Sequence, residues 1–219
     1  MVLVLLASLL PGLFWLWYFE RFDVVDKEPV GKLLQSMLIG AIAVIPALIW
    51  ESPFRHALMT TNSLSYQFIL SFLVVGLGEE LFKSLAVYFS IRKSKYFSEP
   101  MDGIIYSIAT AIGFSVVENI LYISAFGLIV APLRGTIATL AHIAFSGFFG
   151  YYLGRYWFLT RSKIDLLWGL ILASLLHGLY DFLLITRLAS PFVLVLVILA
   201  FHFLLLKAIN HAVSTTAKR

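Results

Sequence analysis

A chain of 219 residues that is 61% hydrophobic and only 13% charged would cover a soluble domain with apolar patches, so lipid must be much of its solvent. The net charge of +4 is no nucleic-acid signal, because the basic residues sit in short loops beside apolar runs and form no continuous basic face. With no cysteine, the sequence excludes disulfides, thiolate ligands and a cysteine nucleophile.

A helix needs roughly 20 apolar residues to cross about 30 Å of hydrocarbon. Seven stretches approach that length: residues 2–19, 33–50, 66–91, 104–126, 135–158, 166–186 and 191–206, the last being the shortest. The first lacks a basic leader and a small-residue cleavage site, so it reads as a retained span and not a cleaved signal. The runs are continuously apolar, without the alternation of a barrel strand, and an open sheet edge is forbidden in lipid. The expected fold is therefore all-α: one polytopic membrane bundle of about seven transmembrane helices, a single domain over residues 1–219.

Lysine and arginine alternate between the loops. Arg21, Lys27, Lys32, Arg92, Lys93, Lys95, Arg155, Arg161, Lys163, Lys207, Lys218 and Arg219 fall on one side of the bundle, against Arg55, Arg134 and Arg187 on the other. By the positive-inside rule this predicts the N-terminus outside and the C-terminus in the cytoplasm, which an odd number of spans requires. Trp15, Trp17, Trp50, Trp157 and Trp168 fall near span ends, as interfacial aromatics do. Gly147, Gly150 and Gly154 predict close helix packing in the fifth span.

Seven ionisable residues lie well inside these spans: Glu79, Glu80 and Lys83 in the third, Glu118 in the fourth, His142 in the fifth, and His177 and Asp181 in the sixth. A charged side chain at a helix centre costs about 2.5–3.5 kcal/mol on insertion scales, so these groups should converge on the bundle interior. Lys83 stands one helical turn from both glutamates, and Asp181 one turn beyond His177. Adjacent glutamates point about 100° apart, so one can line a reacting centre while the other is held by Lys83 or a neighbouring helix. Sequence leaves open which. The bland alternatives are a buried ion-pair staple for Glu79, Glu80 and Lys83, and interhelical hydrogen bonding for the histidines. Ser8, Ser71, Ser115 and Ser146 read as packing hydroxyls, and His202 and His211 take no role. Carboxylates and imidazoles in a confined wet pocket suit general acid–base hydrolysis: a glutamate takes a proton from water, and His177, oriented by Asp181, serves the oxyanion or the leaving amine.

The motifs carry a resemblance. Gly78-Glu79-Glu80-Leu81-Phe82-Lys83 holds an EExxK pattern and Phe114-Ser115-Val116-Val117-Glu118-Asn119 an FxxxEN pattern. With Asp26-Lys27-Glu28-Pro29, Glu99-Pro100-Met101-Asp102-Gly103, Arg134, His142 and His177-Gly178-Leu179-Tyr180-Asp181, the order resembles the PrsW family of intramembrane proteases over nearly the whole chain. More distantly it is similar to the CAAX prenyl endopeptidases. The resemblance implies a peptidase of the bacterial plasma membrane that makes the site-1, extracytoplasmic-side cut in a single-span anti-sigma factor and so releases a sigma factor for an envelope or antimicrobial-peptide stress response. It implies Glu79, Glu80, Glu118, His142 and His177 as catalytic residues, with Lys83, Asn119 and Asp181 in support. No cofactor is predicted by this reading, with zinc as the possible exception. The alternatives are a zinc-dependent form of the same proteolysis, with Glu118, His142 and His177 as ligands but without HExxH spacing, and a proton-coupled transporter using the same groups as a relay.

Overall fold

The computed structural model describes residues 1–216 of the chain, which leaves Lys218 and Arg219 of the charge count outside the described residues. The described residues form helices and no strand. Helix α1 spans Val2–Glu20 and α2 Val30–Glu51, followed by a 3-10 turn and the short α3, Arg55–Thr60. Helix α4, Leu64–Ile69, runs through a π-helical stretch, Leu70–Gly76, into α5, Leu77–Ile91. Next come α6, Pro100–Phe126, the short α7, Ala131–Leu133, a second π-helical stretch, Arg134–Ala138, and α8, Thr139–Gly154. Helix α9, Lys163–Thr186, and α10, Pro191–Thr216, complete the bundle.

Among the described residues, six helical segments are long and apolar enough to cross a membrane: Val2–Glu20, Val30–Thr60, Pro100–Phe126, Leu128–Thr160, Lys163–Thr186 and Pro191–Thr215. The predicted third span is helical throughout, from Leu64 to Ile91, but it holds Glu79, Glu80 and Lys83 and is not among the six. The last helix, expected to be the shortest, has 26 residues, because it continues past Leu206 through Lys207, Asn210 and His211.

Helix α6 is the axis of the fold. Pro100 to Ser115 is buried without interruption, which a helix sustains only with neighbours all round. It packs on α8 and α2 above all, then on α1, α5 and α10. Its start is fixed by Pro100 at the first helical position and by a capping box, with Glu99 and Asp102 each accepting the other's backbone N–H. Its end is Gly127, at φ 84.

Backbone approach sets the two tightest crossings. A Cβ on Gly113 would lie 1.8 Å from the Met37 carbonyl oxygen, and one on Gly40 would lie 1.9 Å from that of Thr110, so α2 and α6 touch through reciprocal glycines. The predicted glycine row of the fifth span is divided. Gly150 and Gly154 face the backbone of Gly103 and Pro100 on α6, whereas Gly147 faces Leu205 on α10. Around this centre the outer faces of α1, α2 and α10 expose Leu10, Ile45, Ile49 and Phe203, an apolar surface suited to lipid.

Candidate active site

Two of the helices that carry site groups are preceded by π-helical turns. In such a turn the i→i−4 ladder breaks register, and the displaced carbonyls need other donors. Before Glu79 and Glu80, the Trp50 indole N–H donates to the Val74 carbonyl at 3.0 Å, and its ring closes over Gly78, where a Cβ would be 2.4 Å from it. Before His142, the Arg134 carbonyl accepts from the Thr139 hydroxyl at 3.1 Å and the Asn119 amide at 3.4 Å.

The sequence-predicted residues meet in one cluster. Glu80 is fully occupied: its Oε1 accepts from Lys83 Nζ at 2.6 Å and contacts His177 Nδ1 at 3.0 Å, and its Oε2 accepts from the Ser146 hydroxyl at 2.8 Å. Glu79, one residue earlier, lies 3.3 Å from Lys83 through its Oε2, which makes no hydrogen bond although it is buried. That oxygen is 3.8 Å from His177 Nε2 and 3.9 Å from His142 Nδ1. Asp181 Oδ2 sits 3.3 Å from His177 Nε2, one turn along the same helix.

Glu118 occupies the other side of His142, with Oε2 at 2.8 Å from Nε2 and 3.1 Å from Arg134 Nη2. Asn119 accepts from Arg134 Nε at 2.9 Å and donates to the Thr139 hydroxyl at 3.1 Å, so it anchors the guanidinium that faces Glu118. Lys83 Nζ lies 3.0 Å from His142 Nδ1 and 4.3 Å from the centre of the Phe114 ring. Phe145 stacks on His177 with ring centres 4.9 Å apart, and the two imidazoles are 5.1 Å apart. Apolar rings thus flank a buried cluster in which charge–charge interactions are strong.

Three contributors were not picked out by their sequence pattern. Ser146, read as a packing hydroxyl, is a ligand of Glu80; its place one turn after His142 was the available signal. Arg134, which its position marks as a loop charge and the resemblance alone ties to the site, is the counter-ion of Glu118. Glu51, at the end of α2, is close enough for the charges of Glu79, Glu118 and Asp181 to act on it, but a glutamate at a span end reads as an ordinary interfacial group.

One carboxylate and two imidazoles form the only potential metal-binding trio at this site among the described residues. Donor atoms of Glu79, His142 and His177, all buried, lie within 4.8 Å of one another. Glu79 stands where the sequence reading had Glu118, because His142 turns Nδ1 toward Glu79 and Nε2 toward Glu118. The donor set is of the kind zinc takes, and the Glu79 oxygen between the two rings makes no hydrogen bond that a cation would have to displace.

Comparison with known proteins agrees with this chemistry. Residues 28–206 match the family described as PrsW family intramembrane metalloprotease. Among curated relatives, protease PrsW of Geobacillus kaustophilus is 31% identical over 94% of this chain and 90% of its own length, and that of Bacillus subtilis is 33% identical over 84% of each. Protease PrsW of Shouchella clausii is 34% identical, again over 84% of each. No solved structure matches the chain. Peptidases and not transporters are thus its relatives, and the chain belongs to the PrsW family of intramembrane metalloproteases, as a multi-pass peptidase of the bacterial cell membrane.

Proposed function

We propose that this peptidase makes the first, extracytoplasmic-side cut in a single-span anti-sigma factor, and that Glu79 is the group that activates water. The observation that carries the assignment is the contrast between the two glutamates. Glu80 has every oxygen engaged, while Glu79 presents a buried oxygen without a hydrogen bond to His142 and His177. An acceptor that folding leaves unsatisfied is one that a reactant can satisfy.

In this reading Lys83 offsets the paired carboxylates, Ser146 and Lys83 immobilise Glu80, and Glu80 with Asp181 fixes the ring of His177. With Nδ1 held by Glu80, His177 offers its Nε2 proton, 3.3 Å from Asp181 in the substrate-free site, to the developing oxyanion and then to the leaving amine. His142, held by Glu118 and Arg134, orients the water that Glu79 deprotonates. The family's metal, for which we favour zinc, would be held by Glu79, His142 and His177; with it bound, Lewis acidity would activate the water, and these three residues would serve as ligands in place of the acid–base roles above.

We also infer seven crossings with the N-terminus outside. The third span is the one weakened by its own active-site charges, and its continuous helix from Leu64 to Ile91, about 40 Å long, exceeds the hydrocarbon thickness. Site groups Glu118, His142 and Asp181 lie toward the helix ends opposite the basic loops, which supports a cut in the outer half of the bilayer.

The test is cleavage of a single-span anti-sigma factor by detergent-purified protein, with products mapped by mass spectrometry. Wild type should cut on the outer side, Glu79→Gln should not, and a chelator should abolish activity until zinc is restored. Cleavage by Glu79→Gln at the wild-type rate would overturn the assignment of the base, and chelator-resistant cleavage by metal-free protein would remove the metal from the site.

A further inference from the structure

Two motifs have no part in the site above: residues 26–29 in the first loop and residues 99–103 at the start of α6. Folding brings them together with Asp23 at the end of α6 remote from Glu118. Asp23, Glu28, Glu99 and Asp102 are each no more than 5% exposed. One oxygen each from Asp23, Glu99 and Asp102 lies within 4.8 Å of the other two.

Part of this cluster is explained by capping. Asp102 Oδ2 accepts the backbone N–H of Ser98 at 2.6 Å and of Glu99 at 2.8 Å, Asp23 Oδ2 accepts that of Glu28 at 3.3 Å, and the Tyr106 hydroxyl donates to Glu28. The opposite oxygens are not explained. Asp23 Oδ1, Asp102 Oδ1 and Glu28 Oε1 are buried without a hydrogen-bond partner. Among the described residues no lysine or arginine forms an ion pair with Asp23, Glu28 or Asp102; the charge of Lys27 reaches Asp23 only at longer range. Buried carboxylates are ordinarily paired or bound to a cation.

We propose that Asp23, Glu99 and Asp102, with Glu28 beside them, bind a hard divalent cation, Ca²⁺ or Mg²⁺, that ties the first loop to the start of α6. The donors are all oxygen, without imidazole or sulfur, which selects hard cations over zinc. Oxygens on opposite sides of an ion with bonds of about 2.4 Å stand about 4.8 Å apart, so the cluster closes on such an ion without rearrangement of its helices. The ion takes the uncapped oxygens, and the capped ones continue to hold the first turn of α6. Its role is structural: it fixes the entry of the helix whose other end carries Glu118.

The test uses full-length protein in detergent, stripped with EDTA, titrated with CaCl₂ and separately with MgCl₂, and followed by calorimetry and thermal unfolding. At least one of the two salts should give saturable binding of one ion per chain and a rise in Tm of several degrees that NaCl at equal ionic strength does not reproduce. Glu79→Gln should keep this response, because the active-site trio is elsewhere, and Asp23→Asn should lose it. Glu99→Gln, which keeps a capping oxygen while removing the charge, should weaken binding at least about tenfold and guards against misfolding of the Asp23 variant. Absence of a saturable response to both cations, its retention in Asp23→Asn, or its loss in Glu79→Gln would overturn the site.

Discussion

A rotation of about 100° between neighbouring helical positions gives Glu79 and Glu80 different surroundings, and two substitutions separate what each does. Glu79→Gln removes a negative charge from an oxygen that makes no hydrogen bond, so Tm should stay near the wild-type value while cleavage falls by about 10²–10⁴-fold, the usual contribution of a general base. Glu80→Ala strips Lys83, His177 and Ser146 of a shared partner at once, and breaking a buried pair of this kind costs about 3–5 kcal/mol, which a thermal melt followed by tryptophan fluorescence would register as a large drop. The sequence made the members of this cluster legible, because ionisable residues inside apolar runs stand out by their cost. It did not reveal the division of labour between the glutamates, which depends on Ser146 and His177 arriving from α8 and α9. Pattern also could not show which face of His142 meets which carboxylate, and so the carboxylate of the trio changed from Glu118 to Glu79.

Helices were easier to read than their joints. Every predicted span is helical because composition and length dictate it in lipid, yet the π-helical stretches before Glu79 and before His142 leave no periodicity a sequence would show. Trp50 is the visible trace of the first. Its place near a span end predicts an interfacial aromatic, but its N–H serves the Val74 carbonyl beside the π turn. Trp50→Phe keeps the ring over Gly78 and deletes that donor, which should cost about 1–3 kcal/mol of stability and lower kcat with little change in KM, since α5 then enters with Glu79 misplaced. Glycines make the complementary test at the helix crossings. Gly113→Ala drives a methyl into the Met37 carbonyl and should abolish recovery of folded protein, whereas Gly31→Ala, with nothing within 4 Å of its Cβ, should stay within about 1 kcal/mol of wild type; size-exclusion profiles in detergent distinguish the two.

At the scale of the molecule, the contacts between loops bear on the charge count. Ser98 in the third loop donates to Asp26 in the first at 3.3 Å, Lys32 lies over the Tyr96 ring at 6.0 Å, and Phe97 packs edge-on against Phe158 near the end of the fifth span, with ring centres 5.0 Å apart. The loops richest in lysine and arginine therefore share one end of the bundle, as the alternation of charge required, and Arg55, Arg134 and Arg187 belong to the helix ends opposite. If the positive-inside rule sets the orientation, the end near Asn62 is outside and the end near Lys93 is cytoplasmic. Because the chain has no cysteine, single substitutions report without background. Asn62→Cys should react with a membrane-impermeant maleimide in intact cells, and Lys93→Cys only after the membrane is opened. The reverse pattern would invert the bundle and put the Glu79 pocket in the cytoplasmic half, where an extracytoplasmic-side cut is out of reach. Equal labelling of both in intact cells would mean an even number of crossings between residues 62 and 93, and the charged third helix would then dip into the bilayer instead of spanning it.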